Sequence, residues 1–356
     1  MLNKPNRIRR NYYRRIKRIC IRRRAYRIIF PLTIVLLSIL YLSRSNYPKI
    51  DLIYTWVNGS DPAFFREKLY WLALSDNIDP QSASNVRFFE HDELRYSLRS
   101  AKQNVPWINH VYIVTNGQIP SWIDLSNAWI SIVTHREIMP LESLPTFNSQ
   151  AIEANIHKIR GLSEYFLYAN DDCFFYRPLS PEFFFSSKGK VKVLKGGLYF
   201  SDEYLQKHQN FLYANNVFYS ATLLYKKFKV LLRFEVSHNV KAFRKSLYSH
   251  CSNRFPEEFN FTTFKKFRAP KCINLSMISY YAIIIGKGEV VEEHDRHFSN
   301  QVYLRIGSRE KMREVLHQRN PALLCINDED NTTAEEYAGL PLFLQELFPK
   351  KESWEL

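Results

Sequence analysis

The sequence predicts an α/β fold: a mostly parallel, Rossmann-like sheet flanked by helices, a more helical C-terminal half, and a single N-terminal transmembrane helix. Three observations carry that expectation. Short apolar runs ending in turn residues alternate with segments of helical spacing between residues 49 and 172, the pattern of βαβ units. After residue 200 the apolar positions fall into helical stretches at 219–234, 275–285 and 334–348. Near the start, IIFPLTIVLLSILYLS (28–43) holds no charge and is flanked by Arg27 and Arg44.

In chain order, residues 1–27 contain 12 Lys/Arg and no acid. Removing those 12 from the 50 basic residues leaves 38 against 35 acidic, so the basic character belongs to a tail and the body is almost neutral. That distribution disfavours a nucleic-acid-binding body. The apolar run 28–43 is slightly short of the roughly 17–25 residues of a spanning helix, and snorkelling arginines make up the difference. The long basic region and the lack of a small-x-small site argue against a cleaved leader. The expected organisation is a basic cytoplasmic tail (1–27), a signal anchor (28–43) and a catalytic domain (44–356) across the membrane, by the positive-inside rule. Asn-x-Ser/Thr triplets at Asn58, Asn260, Asn274 and Asn331 and four cysteines beyond the anchor agree with a secretory-pathway domain.

KIDLIYTWVNGSDP (49–62) reads as a first strand and polar loop, followed by a helix in FFREKLYWLAL (64–74). DELRYSLRSAKQNV (92–105) opens on an acidic cap and reads as a helix. NHVYIVTNGQIP (109–120) and AWISIVTHREIMP (128–140) are the second and third strands. FNSQAIEANIHKIRGL (147–162) is an amphipathic helix stopping at Gly161, and SEYFLYANDD (163–172) is the fourth strand. Ligands bind at the carboxyl ends of strands in open α/β sheets. The loops with Asn58, Ser60 and Asp61, with Thr115, Asn116 and Gly117, and with Asp171 and Asp172 are therefore expected to meet along one rim.

Two adjacent aspartates between apolar and aromatic flanks repel each other in a low dielectric. A hard dication, Mg²⁺ or Mn²⁺, would turn Asp171 and Asp172 into ligands, with phosphate oxygens and water completing its shell. The bland reading, one aspartate capping and the other solvated, fits the apolar flanks less well. His238 is a candidate general base, Arg268 a candidate bidentate grip on a diphosphate, and CINDED (325–330) a second polar cluster within reach of a metal. EEHDRH (292–297) suits an exposed turn. Walker A, GxGxxG, GxSxG and HExxH sequences do not occur, which disfavours P-loop enzymes, dinucleotide oxidoreductases, nucleophile-elbow esterases and zincins.

In this order, IDLIYTWVNGSDP, the stretch from DELRYSLRSAKQNVPWINHVYIVTNGQIPSWIDL through FLYANDD, SHNVKAF through FKKFR, and CINDEDN with FPKKESWE resemble the four conserved regions of the Stealth family of sugar-1-phosphate transferases. The wording looks closer to the Golgi N-acetylglucosamine-1-phosphotransferase α/β subunit than to the capsule enzymes. The resemblance implies transfer of N-acetylglucosamine-1-phosphate, or a related hexose-1-phosphate, from a UDP-sugar to a hydroxyl of a glycan acceptor such as a high-mannose glycoprotein, with release of UMP. It implies Asp51 and Trp56 in the nucleotide-sugar pocket, together with Asn58, Asn116 and Arg268. It implies Asp171, Asp172, Asn327 and Asp328 around the metal, and His238, Asp172 and Arg268 in catalysis. The third region departs from the family pattern, reading NVKAF after His238 and Ala-Pro after Arg268. A single-pass type II Golgi location follows from the anchor and the resemblance together. An ordinary type II glycosyltransferase releasing UDP is the alternative enzyme. A membrane-tethered binder of anionic lipid or nucleic acid acting through the basic tail is the alternative of another class. Residues alone leave a monomer and a homodimer both open.

Overall fold

The structure, a computed structural model, describes residues 48–292, 300–328 and 332–356. IDLIYT forms the first strand, β1 (Ile50–Thr55), buried at every residue but the last. Such a strand lies inside a sheet covered on both faces, which is why it reads as a nearly continuous apolar run. β1 pairs in parallel with β2 (Val111–Thr115) on one side and with β4 (Tyr165–Asn170) on the other. β3 (Ile130–Thr134) lies parallel beyond β2, and β8 (Lys241–Arg244) closes the opposite edge antiparallel to β4. The order β3-β2-β1-β4-β8 reverses direction at β1, so β1 and β4 flank a switch point whose crevice opens at Thr55 and Asn170.

The fold is mixed α/β, which corrects the expectation of one mostly parallel Rossmann-like sheet with a helical remainder. Two further three-stranded sheets occur. In one, β11 (Leu323–Asn327) runs parallel to β10 (Gln301–Arg305) and antiparallel to β5 (Cys173–Phe175). In the other, β6 (Val191–Tyr199) lies between β7 (Phe234–Val236) and β9 (Gly288–Val291). These strands are only three to nine residues long, and short runs leave a weak periodicity signal. The expected membrane helix at 28–43 lies outside the described residues, as do the triplet at Asn331 and most of the EEHDRH stretch. Among the described residues no helix is long and apolar enough to cross a membrane.

Most expected helices form. Asp61 caps Pro62–Ala73, its carboxylate accepting the Ala63 and Phe64 amides at 2.7 and 3.3 Å, with Pro62 at the first helical position. Glu93–Asn104 forms as expected, but Asp92 is not its side-chain cap, because its backbone is left-handed at φ 68°. The long helix expected over 147–162 is instead a short helix, Ser149–Glu153, and a 3₁₀ turn, Ile156–Lys158. Asn155 ends the first piece by donating its side-chain amide to the Ala151 carbonyl at 2.8 Å and to Thr263 Oγ1 at 2.9 Å. Leu212–Phe228, Leu275–Ile284 and Ala334–Leu347 form near the expected C-terminal stretches, and Lys245–Arg254, Pro256–Thr263 and Arg309–Arg319 are helical as well. Ala334–Leu347 packs Leu340, Phe343 and Leu344 onto Phe174 and Leu324, which fixes the β5–β11 pair beside the central sheet. Asn274 is buried and caps Leu275–Ile284 by accepting the Ser276 amide, so its triplet is structural.

Candidate active site

Three loops meet at the carboxyl edge of the central sheet. Gln118 joins the first two: its Oε1 accepts the Asn58 amide at 2.9 Å, and its Nε2 donates to the Asn58 carbonyl at 3.0 Å and to Asp61 Oδ2 at 3.2 Å. The turn holding Gln118 needs Gly117, whose φ of +114° favours glycine. Asn116 is exposed on that turn, its Oδ1 accepting the Gln118 amide. Asn58 and Asn116 thus share the rim with the end of β4. Trp56 is buried at its base, beside the Glu90 carboxylate.

Asp171 and Asp172 follow β4 and face different company. The charges acting on Asp171 are those of Asp172 and Glu90, and Glu93 and Tyr54 feel Asp171 in turn. Burial first, then these like charges, push Asp171 well above the usual carboxylate range. Glu90 is pushed up to about 7, again by burial first and then by Asp92. Asp172 turns toward β11. Asn327 Nδ2 donates to its Oδ2 at 3.0 Å, and the thiols of Cys173 and Cys325 reach its two oxygens at 3.4 and 3.5 Å. Burial raises Asp172 while these three donors oppose the rise. Asn327 therefore positions Asp172 through its amide nitrogen. Asp328 continues the rim, pushed up to about 6 by burial and by the Asp172 charge.

β11 arrives here because Cys325 pairs with Cys173 across the antiparallel ladder and the Ile326 amide donates to the Asp172 carbonyl. His238 arrives because β8 runs antiparallel to β4, so the turn entering β8 lies at the carboxyl edge. Ligand atoms of Asp172, His238 and Cys325 lie within 4.8 Å of one another. Burial, then Lys241, Arg268 and Arg87, bring His238 down to about 3, so its ring is neutral at ordinary pH. Arg268 donates to Ser149 Oγ at 2.7 Å and shares a cleft with Arg87, Gln150, Tyr213 and Asn216. Glu153 is buried between the Arg268 and Lys241 charges.

Of the expected site residues, Asp51 is the one the fold sets apart. It stands at the amino end of β1, buried, accepting Asn109 Nδ2 and the Ser163 amide at 2.7 Å each. Its partners tie β1 to the approaches of β2 and β4, at the end of the strand away from the carboxyl edge. Conversely, Lys241, Glu153 and Glu90 join the candidate site with no sequence motif that marks them, and Glu93, Cys173 and Cys325 lie in or directly beside motifs without being singled out by them. Lys241 lies in the NVKAF stretch that departs from the family pattern. Cys173, Cys251, Cys272 and Cys325 are buried free thiols.

An acid-rich, histidine-containing crevice thus lies at the switch point of an α/β sheet, with Lys241, Arg268 and Arg87 acting on its histidine. Residues 48–76 match Stealth protein conserved region 1 and residues 87–193 match conserved region 2. A capsular polysaccharide phosphotransferase of Haemophilus influenzae is 32% identical over 301 residues, covering 81% of this chain and 80% of that protein. The chain belongs to the Stealth family, a family of enzymes. An exopolysaccharide phosphotransferase of Streptomyces coelicolor is 34% identical, covering 86% of this chain and 52% of its own length. The capsular polysaccharide phosphotransferase SacB of Neisseria meningitidis serogroup A is also 34% identical, covering 86% and 57%. The chain thus spans little more than half the length of those two relatives. The solved galactosyltransferase LgtC, in complex with donor and acceptor sugar analogues, aligns over 86% of this chain and 99% of its own at TM-score 0.40 and 9% identity. The matched relatives are bacterial capsular and exopolysaccharide enzymes, which overturns the expected Golgi, single-pass type II location.

Proposed function

We propose that the chain transfers a sugar-1-phosphate from a nucleotide sugar to a hydroxyl of a polysaccharide acceptor. In this reading the acceptor oxygen attacks the phosphorus next to the sugar and forms a P–O bond. The bond from that phosphorus to the bridging oxygen of the nucleotide breaks, and a nucleoside monophosphate leaves. UDP-N-acetylglucosamine is the proposed donor and UMP the leaving group. The observation that carries the reading is a convergence: Asp172, Cys325 and His238 come together where the Lys241, Arg268 and Arg87 charges also act on His238.

Each residue has a task that follows from its surroundings. His238, held neutral, is free to take the acceptor proton, and a diphosphate among the three cations would raise its basicity by offsetting their charge. Arg268, fixed by Ser149, grips the diphosphate, and Lys241 offsets charge on the departing phosphate. Asn58 and Asn116, on loops joined by Gln118, face the nucleotide sugar. The carboxylates fit a hard cation, because burial raises both Asp172 and Asp328 and the Asp172 charge raises Asp328 further, and a dication would offset both effects. Asp172 and Asp328 would hold Mg²⁺ or Mn²⁺, with Asn327 fixing Asp172. Such an ion supplies charge neutralisation of the diphosphate.

The test is nucleotide analysis after incubating the full chain with UDP-N-acetylglucosamine, Mg²⁺ and capsule-type oligosaccharides. UMP and an acid-labile phosphodiester are expected. Release of UDP with a plain glycoside would refute the reading in favour of glycosyl transfer.

A further inference from the structure

We infer that Asp172, His238 and Cys325 form a binding site for a thiophilic divalent transition-metal ion of the Zn²⁺ class, distinct in ligand set from the hard-cation site proposed on Asp172 and Asp328. Three facts carry it. The three ligand atoms already lie within 4.8 Å of one another, and the Asp172 Oδ2 to Cys325 Sγ separation is 3.5 Å. A tetrahedral ion with ligands at about 2.0–2.3 Å sets ligand pairs roughly 3.3–3.8 Å apart, so the site closes by side-chain movements of about 1 Å. The donors are a thiol sulfur, an imidazole nitrogen and one carboxylate oxygen, a set that favours Zn²⁺, Co²⁺ or Cd²⁺ over Mg²⁺. One thiolate and one carboxylate balance the ion's charge.

The surroundings hold the ligands in place. Asn327 donates to Asp172 Oδ2, the oxygen that faces Cys325, and the Cys173 thiol holds the other oxygen. β11 pairs Cys325 directly with Cys173, so Cys325 cannot leave without breaking the ladder. Three protein ligands with a fourth position for water is an open coordination pattern. An ion bound there would withdraw Asp172 and His238 from transfer. That consequence rests on the proposed function, whereas binding itself does not.

The experiment is a Co²⁺ titration of the reduced, chelator-stripped full chain, followed by thiolate-to-cobalt charge-transfer absorption. Wild type is expected to develop the band to one equivalent and to keep it in excess Mg²⁺. Cys325→Ser is expected to lose it, His238→Gln to weaken binding on the order of tenfold or more, and Cys173→Ser to retain it. No band in wild type, bleaching by Mg²⁺, or a band surviving in Cys325→Ser would each overturn the site. The wild-type titration and His238→Gln keep the test decisive where a cysteine variant does not fold. Transfer activity is not read, so failure of this site and failure of the proposed function remain separable.

Discussion

Glu90 makes the stability of the metal-free protein pH-dependent in a direction opposite to that of most surface carboxylates. Burial and the Asp92 charge raise it from 4.5 to about 7, against the weaker pull of the Asp92 amide, Trp56 and Arg95. The native state therefore holds a proton that the unfolded chain gives up first. Stability from this group is complete below about pH 4.5 and is lost as pH rises through about 7. At about 1.4 kcal/mol per pH unit, the gap corresponds to about 3 kcal/mol. Glu90→Gln keeps the shape of the protonated acid and cannot ionise. Urea unfolding in chelator at acidic and mildly alkaline pH, for wild type and variant, reads the effect together with the relief of Asp171 and Glu93, which both feel the Glu90 charge. The variant should gain about 3 kcal/mol over wild type across that window. A difference that stays constant with pH would refute the assignment of a buried, protonated Glu90.

Two further outcomes follow from packing. The Glu355 side chain is fully enclosed and accepts from Arg99 at 2.6 and 2.7 Å and from Arg95 at 3.0 Å, so Glu355→Ala strands a buried guanidinium. A loss of about 3–5 kcal/mol by chemical denaturation is expected, and one under about 1 kcal/mol would contradict that account. Gly59 donates to the Phe88 carbonyl at 2.7 Å, and a Cβ there would collide with that oxygen and the Phe88 side chain. Gly59→Ala should cost about 1–3 kcal/mol in thermal unfolding and weaken nucleotide-sugar binding in calorimetry, because the Asn58 loop must move.

The parts of the fold legible in the sequence are those encoded locally. β1, β2 and β4 end in Thr-Trp, Thr-Asn-Gly and Asn-Asp-Asp, and turn chemistry marks such ends without tertiary information. The rim formed by Asn58 and Asn116 was legible for the same reason. Asp51 was not, because a motif places residues close in sequence, whereas a strand carries them apart. Four residues of rise separate Asp51 from Thr55, roughly 13 Å at the usual strand rise, so the two ends of one motif serve opposite edges of the sheet. Lys241, Cys325 and Glu153 were illegible because β8 and β11 reach the site through pairings of long sequence separation: Lys241 with Tyr168, and Cys325 with Cys173. His238 and Arg268 stood as candidates on their chemistry alone, and the family resemblance added the expectation that they act in catalysis.

The adjacent aspartates are the point at which structure changes the chemistry most. A cation shared between Asp171 and Asp172 would answer their repulsion, but the two form the turn between β4 and β5 and meet different neighbours. Asp171 faces Glu90 and Glu93, an all-acid setting that a proton relieves, and its well-raised pKa is the mark of that relief. Asp172 faces Asn327, Cys325 and His238, and the Asn327 and thiol donors oppose the rise that burial imposes on it. The metal role proposed for the pair therefore falls to Asp172. On the proposed reading Asp171→Asn should retain the transfer that Asp172→Asn abolishes, and loss of transfer in both variants would contradict it.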